Sequence, residues 1–102
     1  MNSLLKREAA FLRLLLHTNA RQQRALLKTI QSSQLQAIVQ VVYNVLMGMR
    51  ELKPKDKQRL KQHKQIIRRF VSKDISSQRR KQILLHYFPY LKIALELVSK
   101  EI

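Results

Sequence analysis

Between Leu35 and Met49, apolar residues occupy nearly the whole circumference of a helix. On a helical wheel Leu35, Ile38, Val39, Val42, Leu46 and Met49 share one face, and Val41 and Val45 widen it. Only Gln36, Gln40 and Asn44 remain, as a narrow uncharged stripe. Such a segment is stable only if other elements cover most of its sides, so the chain has to build a bundle around it. Its Val and Ile content would also suit a strand. A cap signal at Ser33 with Gln36, and Gly48 at the far end, favour instead a helix over Gln34–Met47. Gly48, the only glycine, is expected to stop it in the left-handed conformation.

The cover comes from further helical patterns. A first helix is expected over Ser3–His17, with Leu4, Leu5, Phe11, Leu12, Leu15 and Leu16 as its apolar side, and Asn19 with Gln22 signals the start of a second over Ala20–Ile30. Pro54 suits the first turn of a fourth that runs to Ser72. Ser76 or Ser77 caps a fifth to Phe88, and Pro89 forces a restart as a sixth that ends near Glu101. No stretch alternates with period two over a strand's length. The expected fold is all-α: one domain over residues 1–102, a compact bundle of five or six short helices centred on Leu35, Ile38, Val39, Val42 and Leu46.

Leu35 to Met49 is also the most apolar window, and it is shorter than the roughly 18 residues a membrane span needs. At the N-terminus, Lys6 and Arg7 precede Leu14-Leu15-Leu16, but Glu8 and Arg13 interrupt the run and no small-residue cleavage site follows, so no signal peptide is expected.

Catalytic means are thin. The absence of cysteine removes disulfides, thiolate metal sites and thiol nucleophiles, and His17, His63 and His86 are too scattered to form a metal set. The three histidines are expected as packed core or boundary residues, and Met47 and Met49 as core filler. The only acid-plus-lysine cluster, Glu51 and Asp56 near Lys53, Lys55 and Lys57, has no catalytic spacing. A non-enzyme without cofactor or metal is expected.

Charge is the informative quantity: 21 Lys+Arg against 6 Asp+Glu give +15. Residues 1–49 carry +5 and residues 82–102 carry none, so +10 is concentrated in residues 50–81. On a continuous fourth helix, Leu60, His63, Ile67, Phe70 and Val71 form the buried stripe while Lys57, Lys61, Lys64 and Arg68 align as a basic ridge about 16 Å long. Gln58, Gln62, Gln65 and Arg69 lie beside it. Most charged helix faces are merely solvated, but those mix signs, because opposite charges at i,i+4 stabilise by about 0.2 to 0.5 kcal/mol and like charges cost a similar amount. A ridge without acids points to an anionic partner. Lys73 and Arg79-Arg80-Lys81 extend the charge past the fourth helix, and Arg21, Arg24 and Lys28 form a second stripe on the second helix. These twelve cations are the candidate nucleic-acid-binding residues, since Lys and Arg on a helix face can follow a phosphate backbone. Tyr43, Tyr87, Tyr90, Phe11, Phe70 and Phe88 fall on apolar faces or beside Pro89 and not between basic residues, which favours duplex DNA over single-strand stacking.

The segments Gln22-Gln23-Arg24-Ala25-Leu26-Leu27-Lys28-Thr29, Asn44-Val45-Leu46-Met47-Gly48, Arg59-Leu60-Lys61-Gln62-His63-Lys64, and Ser76 to Lys81 followed by Ile83-Leu84-Leu85, taken in this order, resemble the small basic proteins of Polinton/Maverick-type elements and their adintovirus-like relatives. The likeness covers Gln22 to Leu85 and carries no catalytic signature. It departs at His86-Tyr87-Phe88-Pro89-Tyr90, where that family has a Gly-containing tail. It implies a DNA-virus-like setting, with a virion-associated or nuclear protein that coats or condenses a genome; without it, an intracellular soluble protein is expected.

The leading expectation is thus a non-enzymatic nucleic-acid-binding protein, a virion or nucleoid core component, with duplex DNA as partner. Two alternatives use the same features. The basic face could dock an acidic protein, or the cationic amphipathic segment Leu4–His17, with Lys6, Arg7 and Arg13, could lie on an anionic membrane.

Overall fold

The computed structural model describes residues 3–102. Seven α-helices and two 3-10 turns follow one another: α1 (Ser3–Arg7), α2 (Ala9–His17), α3 (Ala20–Lys28), α4 (Ser32–Met47), a turn at Met49–Glu51, α5 (Pro54–Lys61), α6 (Lys64–Val71), α7 (Ser77–Leu97) and a turn at Ser99–Glu101. There is no strand among the described residues, and the all-helical expectation holds. The helix count exceeds the expected five or six because two expected rods are interrupted and the last two are joined.

The first expected helix breaks at Glu8 (φ −99°, ψ 10°). Backbone bonds still bridge the break, from Glu8 N–H to the Leu4 carbonyl and from Leu12 N–H to the Glu8 carbonyl (3.0 and 3.1 Å). The Glu8 carboxylate accepts from the Ser33 hydroxyl at the start of α4 (3.0 Å), which ties the bend to the central helix. Ser33 is therefore not the cap expected for α4. The Gln34 side chain accepts the Gln31 N–H instead (2.9 Å), and the helix starts at Ser32. The Asn19–Gln22 capping box forms as the sequence signals, with Gln22 N–H donating to the Asn19 side chain at 2.8 Å. The fourth expected helix is interrupted at Gln62–His63, where His63 has φ −123° and ψ 21°. The fifth and sixth follow one another within α7 across a kink at Tyr87 (φ −119°, ψ 21°), beside the restart expected at Pro89. Two residues on, Pro89 has no N–H to give to the Leu85 carbonyl and its ring crowds that group.

Gly48 is not a left-handed stop: its φ is −91° and ψ 14°, and no described residue has positive φ. Its N–H bonds to the Asn44 carbonyl (3.0 Å) and its own carbonyl accepts from Glu51 N–H (3.0 Å), so the chain runs on directly into the 3-10 turn. The ends of two other helices are held by side chains from the helix that follows. Gln23 of α3, the only buried polar residue among those described, donates to the carbonyls of Leu15 (2.8 Å) and Thr18 (3.1 Å) at the end of α2. The Arg80 guanidinium of α7 donates to the Phe70 carbonyl (2.8 Å) and to the Ser72 carbonyl at the end of α6.

Helices α4 and α7 form the centre: α4 packs on α7, α6 and α1, and α7 also touches α2, α3 and α5. One continuous core joins Leu12 and Leu15 of α2, Leu60 of α5, Ile67 and Phe70 of α6, and Ile83, Leu84, Leu91 and Leu95 of α7 to the α4 residues. On α4 the buried arc is rotated from the expected one. Leu35, Ile38 and Val42 are buried as expected, but Ala37, Val41 and Val45 join them while Val39 and Leu46 are only half-buried. The exposed side is wider than the Gln36–Gln40–Asn44 stripe, because Tyr43 and Met47 share it, Met47 at 66% exposure and therefore not core filler. The buried arc is the side of α4 that α1, α6 and α7 cover, a placement that the wheel of one helix cannot fix. The Cα radius of gyration, 12.7 Å, is near the ~13 Å of a 100-residue globule.

Candidate nucleic-acid interface

The interruption at His63 divides the expected ridge. Lys57 and Lys61 lie one turn apart on α5, Lys64 and Arg68 one turn apart on α6, and the two pairs no longer share one helix axis. Each helix keeps its own reason to face outward. Leu60 is the buried residue of α5, and Ile67 and Phe70 are those of α6, so the lysines and arginines between them project toward solvent. Lys61, Arg68 and Arg69 are exposed; Lys57 and Lys64 are half-buried.

Beyond α6, Lys73 is exposed in the connection to α7, and Arg79 and Lys81 are exposed in the opening turns of α7. Ser76 caps that helix by accepting Arg79 N–H (3.1 Å), and the Arg79 guanidinium donates to the Gln82 side chain (3.3 Å). No acidic residue lies in the first turn of α7. Its cations sit at the positive end of the helix dipole, where charge of that sign is unfavourable by about 0.3 to 1 kcal/mol. Arg80 differs from its neighbours, since its guanidinium is engaged with the α6 carbonyls and serves the fold. Arg21, Arg24 and Lys28 are all exposed on α3, and Arg24 lines a groove with His86 and Pro89 at the kink of α7.

Almost nothing neutralises this surface. Among the described residues the ion pairs are Arg7–Glu8 (4.0 Å) and Arg59–Glu96 (3.8 Å), and neither includes any of the twelve candidate cations.

Phe11, Phe70 and Phe88 pack on the core as the sequence pattern expects, but Tyr87 and Tyr90, beside Pro89, also come next to basic residues. The kink of α7 faces the interruption between α5 and α6, and there the His63 ring stacks on Tyr90 (centroids 3.8 Å, planes 15° apart). Tyr87 lies 6.2 Å from Tyr90 and meets His86 edge-on at 4.8 Å. A cleft of about 420 Å³ is lined there by Lys61, Gln62, His63, Lys64, Gln65, Ile66, Tyr87 and Tyr90. Rings and lysines thus share one cleft. A second cleft, between α4 and the α6–α7 connection, brings the half-exposed Tyr43 to Lys73 and Arg80. His63 is half-buried, a boundary residue as expected, whereas His17 and His86 are exposed. Tyrosines three residues apart on either side of Phe88-Pro89 were the one sequence signal for this cluster; the interruption opposite them has no local signal, because Gln62-His63 contains neither Gly nor Pro.

No group of three or more His, Asp or Glu that could hold a metal occurs among the described residues. No described helix is long and apolar enough to cross a membrane. No family model, no curated protein and no solved structure matches the chain.

Proposed function

We propose that this chain is a non-enzymatic nucleic-acid-binding protein that engages the phosphate backbone, duplex DNA included, through Lys57, Lys61, Lys64, Arg68, Arg69, Lys73, Arg79 and Lys81, with Arg21, Arg24 and Lys28 as a secondary stripe. The observation that carries this reading is that, among the described residues, no carboxylate pairs with these side chains on a surface where like charges neighbour one another. A phosphate polyanion relieves that repulsion, and release of its condensed counterions supplies affinity without base reading. The resemblance to Polinton/Maverick-type proteins would give the activity a setting, a virion or nuclear protein that condenses a genome.

The test is a titration of random-sequence duplex DNA at several salt concentrations. Log affinity should fall linearly with log salt at a slope of about 0.9 per phosphate contact. Changing Lys57, Lys61, Lys64 and Arg68 to Gln should flatten that slope by up to about four contacts' worth, and the same change at Arg21, Arg24 and Lys28 should matter less. A salt-independent affinity overturns the proposal. Absence of DNA binding, with retention on an acidic protein lost in the fourfold variant, assigns the face to protein docking instead.

A further inference from the structure

We infer that the cleft between the α5–α6 interruption and the α7 kink is a stacking subsite for an unpaired nucleobase, so that single-stranded nucleic acid gains contacts there that a duplex does not. The inference rests on the nucleic-acid reading above and adds to it the strand state of the ligand.

Three chemistries meet in that cleft. His63 and Tyr90 already stack on one another at 3.8 Å with Tyr87 6.2 Å from Tyr90, so a base would extend an existing ring stack in which Tyr90 is 37% exposed. Lys61 and Lys64 stand on the rim of the same cleft and carry no ion pair among the described residues, which leaves them to the phosphates on either side of a bound base. Gln62 and Gln65 add amides that both donate and accept, the complement of a base edge. Scattered exposed tyrosines need no explanation. Here three rings gather where two helical breaks of nearly the same backbone conformation, at His63 and Tyr87, face each other. The volume, about 420 Å³, falls in the roughly 300 to 1,000 Å³ range of small-ligand sites. Bases paired within a duplex keep their faces stacked on one another and cannot enter; an unpaired base can, and single-strand binders combine basic tracks with such aromatic platforms.

The experiment compares two fluorescently labelled oligonucleotides of equal length, oligo-dT and a fully abasic strand with the same number of phosphates, binding to the intact protein by anisotropy. The phosphate surface sees the two alike. A stacking subsite should make oligo-dT bind roughly 5- to 150-fold tighter per base accommodated, with the same salt slope. Tyr90→Leu should remove that difference while leaving abasic binding unchanged, and Tyr90→Phe should keep it. Equal, salt-dependent binding of both strands overturns the subsite and leaves the phosphate reading standing; no binding of either strand overturns both. The comparison on the unsubstituted protein decides the matter even if a variant does not fold.

Discussion

Arg79→Glu should stabilise the protein and, under the proposed function, weaken DNA binding at the same time. Ser76 already accepts Arg79 N–H at 3.1 Å, which is half of a capping box. A glutamate at that third helical position can accept the Ser76 N–H in return and complete the box. The substitution also removes a cation from the positive end of the α7 dipole and places an anion there, each change contributing about 0.3 to 1 kcal/mol. Against this stands only the loss of an exposed 3.3 Å hydrogen bond to Gln82. The net gain should be about 1 to 2 kcal/mol, which for a domain of this size raises Tm by roughly 4 to 16 °C. Thermal and urea unfolding followed by circular dichroism at low and high ionic strength measure it. The gain should shrink as salt screens the exposed charges. Arg79→Gln separates the terms, because Gln can close the capping box without adding an anion. If Arg79 belongs to the interface, the salt slope for DNA should fall by about one contact, 0.9. An unchanged or lower Tm would refute the electrostatic argument, and a higher Tm with unaltered binding would remove Arg79 from the interface.

Two further substitutions test local geometry. Gly48→Ala should stabilise by about 0.4 to 1 kcal/mol in urea unfolding, because Ala can adopt the negative-φ conformation of Gly48 (φ −91°, ψ 14°) and loses less chain entropy on folding; its new Cβ would meet only the Asn44 carbonyl at 3.5 Å, and a loss of stability would show that the position does need a glycine. Arg80→Met should destabilise by about 1 to 3 kcal/mol by leaving the Phe70 and Ser72 carbonyls without their donor, yet reduce DNA affinity less than Lys81→Gln does when the two are titrated side by side.

Features decided within a few residues were legible in the sequence. The Asn19–Gln22 box, the Ser76 cap, Pro54 at the start of α5 and the apolar α4 all depend on contacts along one helix. The interruptions were not, because each accompanies a contact between distant parts of the chain. Glu8 meets Ser33, 25 residues away, and His63 meets a ring on α7. The periodicity of residues 54–72 runs through His63 without a fault, so a wheel drawn over them shows one rod and a single ridge. The cations themselves were easily found, since charge resists burial. What local pattern could not supply was the neighbourhood of Tyr87 and Tyr90, which depends on how α7 lies against the α5–α6 break, nor the engagement of Arg80 with another helix's end.

The way α2 and α6 end has a bearing on the order in which this protein can assemble. No described residue lies in the left-handed region, and the local donors at these ends are the Thr18 hydroxyl on the Leu15 carbonyl (3.4 Å) and Ser72 N–H on the Arg69 carbonyl (3.2 Å); the further donors, Gln23 and Arg80, are encoded five to ten positions downstream. A nascent α2 on the ribosome lacks the Gln23 donor until α3 has emerged, and α6 lacks that of Arg80 until α7 has. The last turn of each leading helix and the first turns of its successor should open and close as one, so the connections between them cannot change length freely without loosening the helix before.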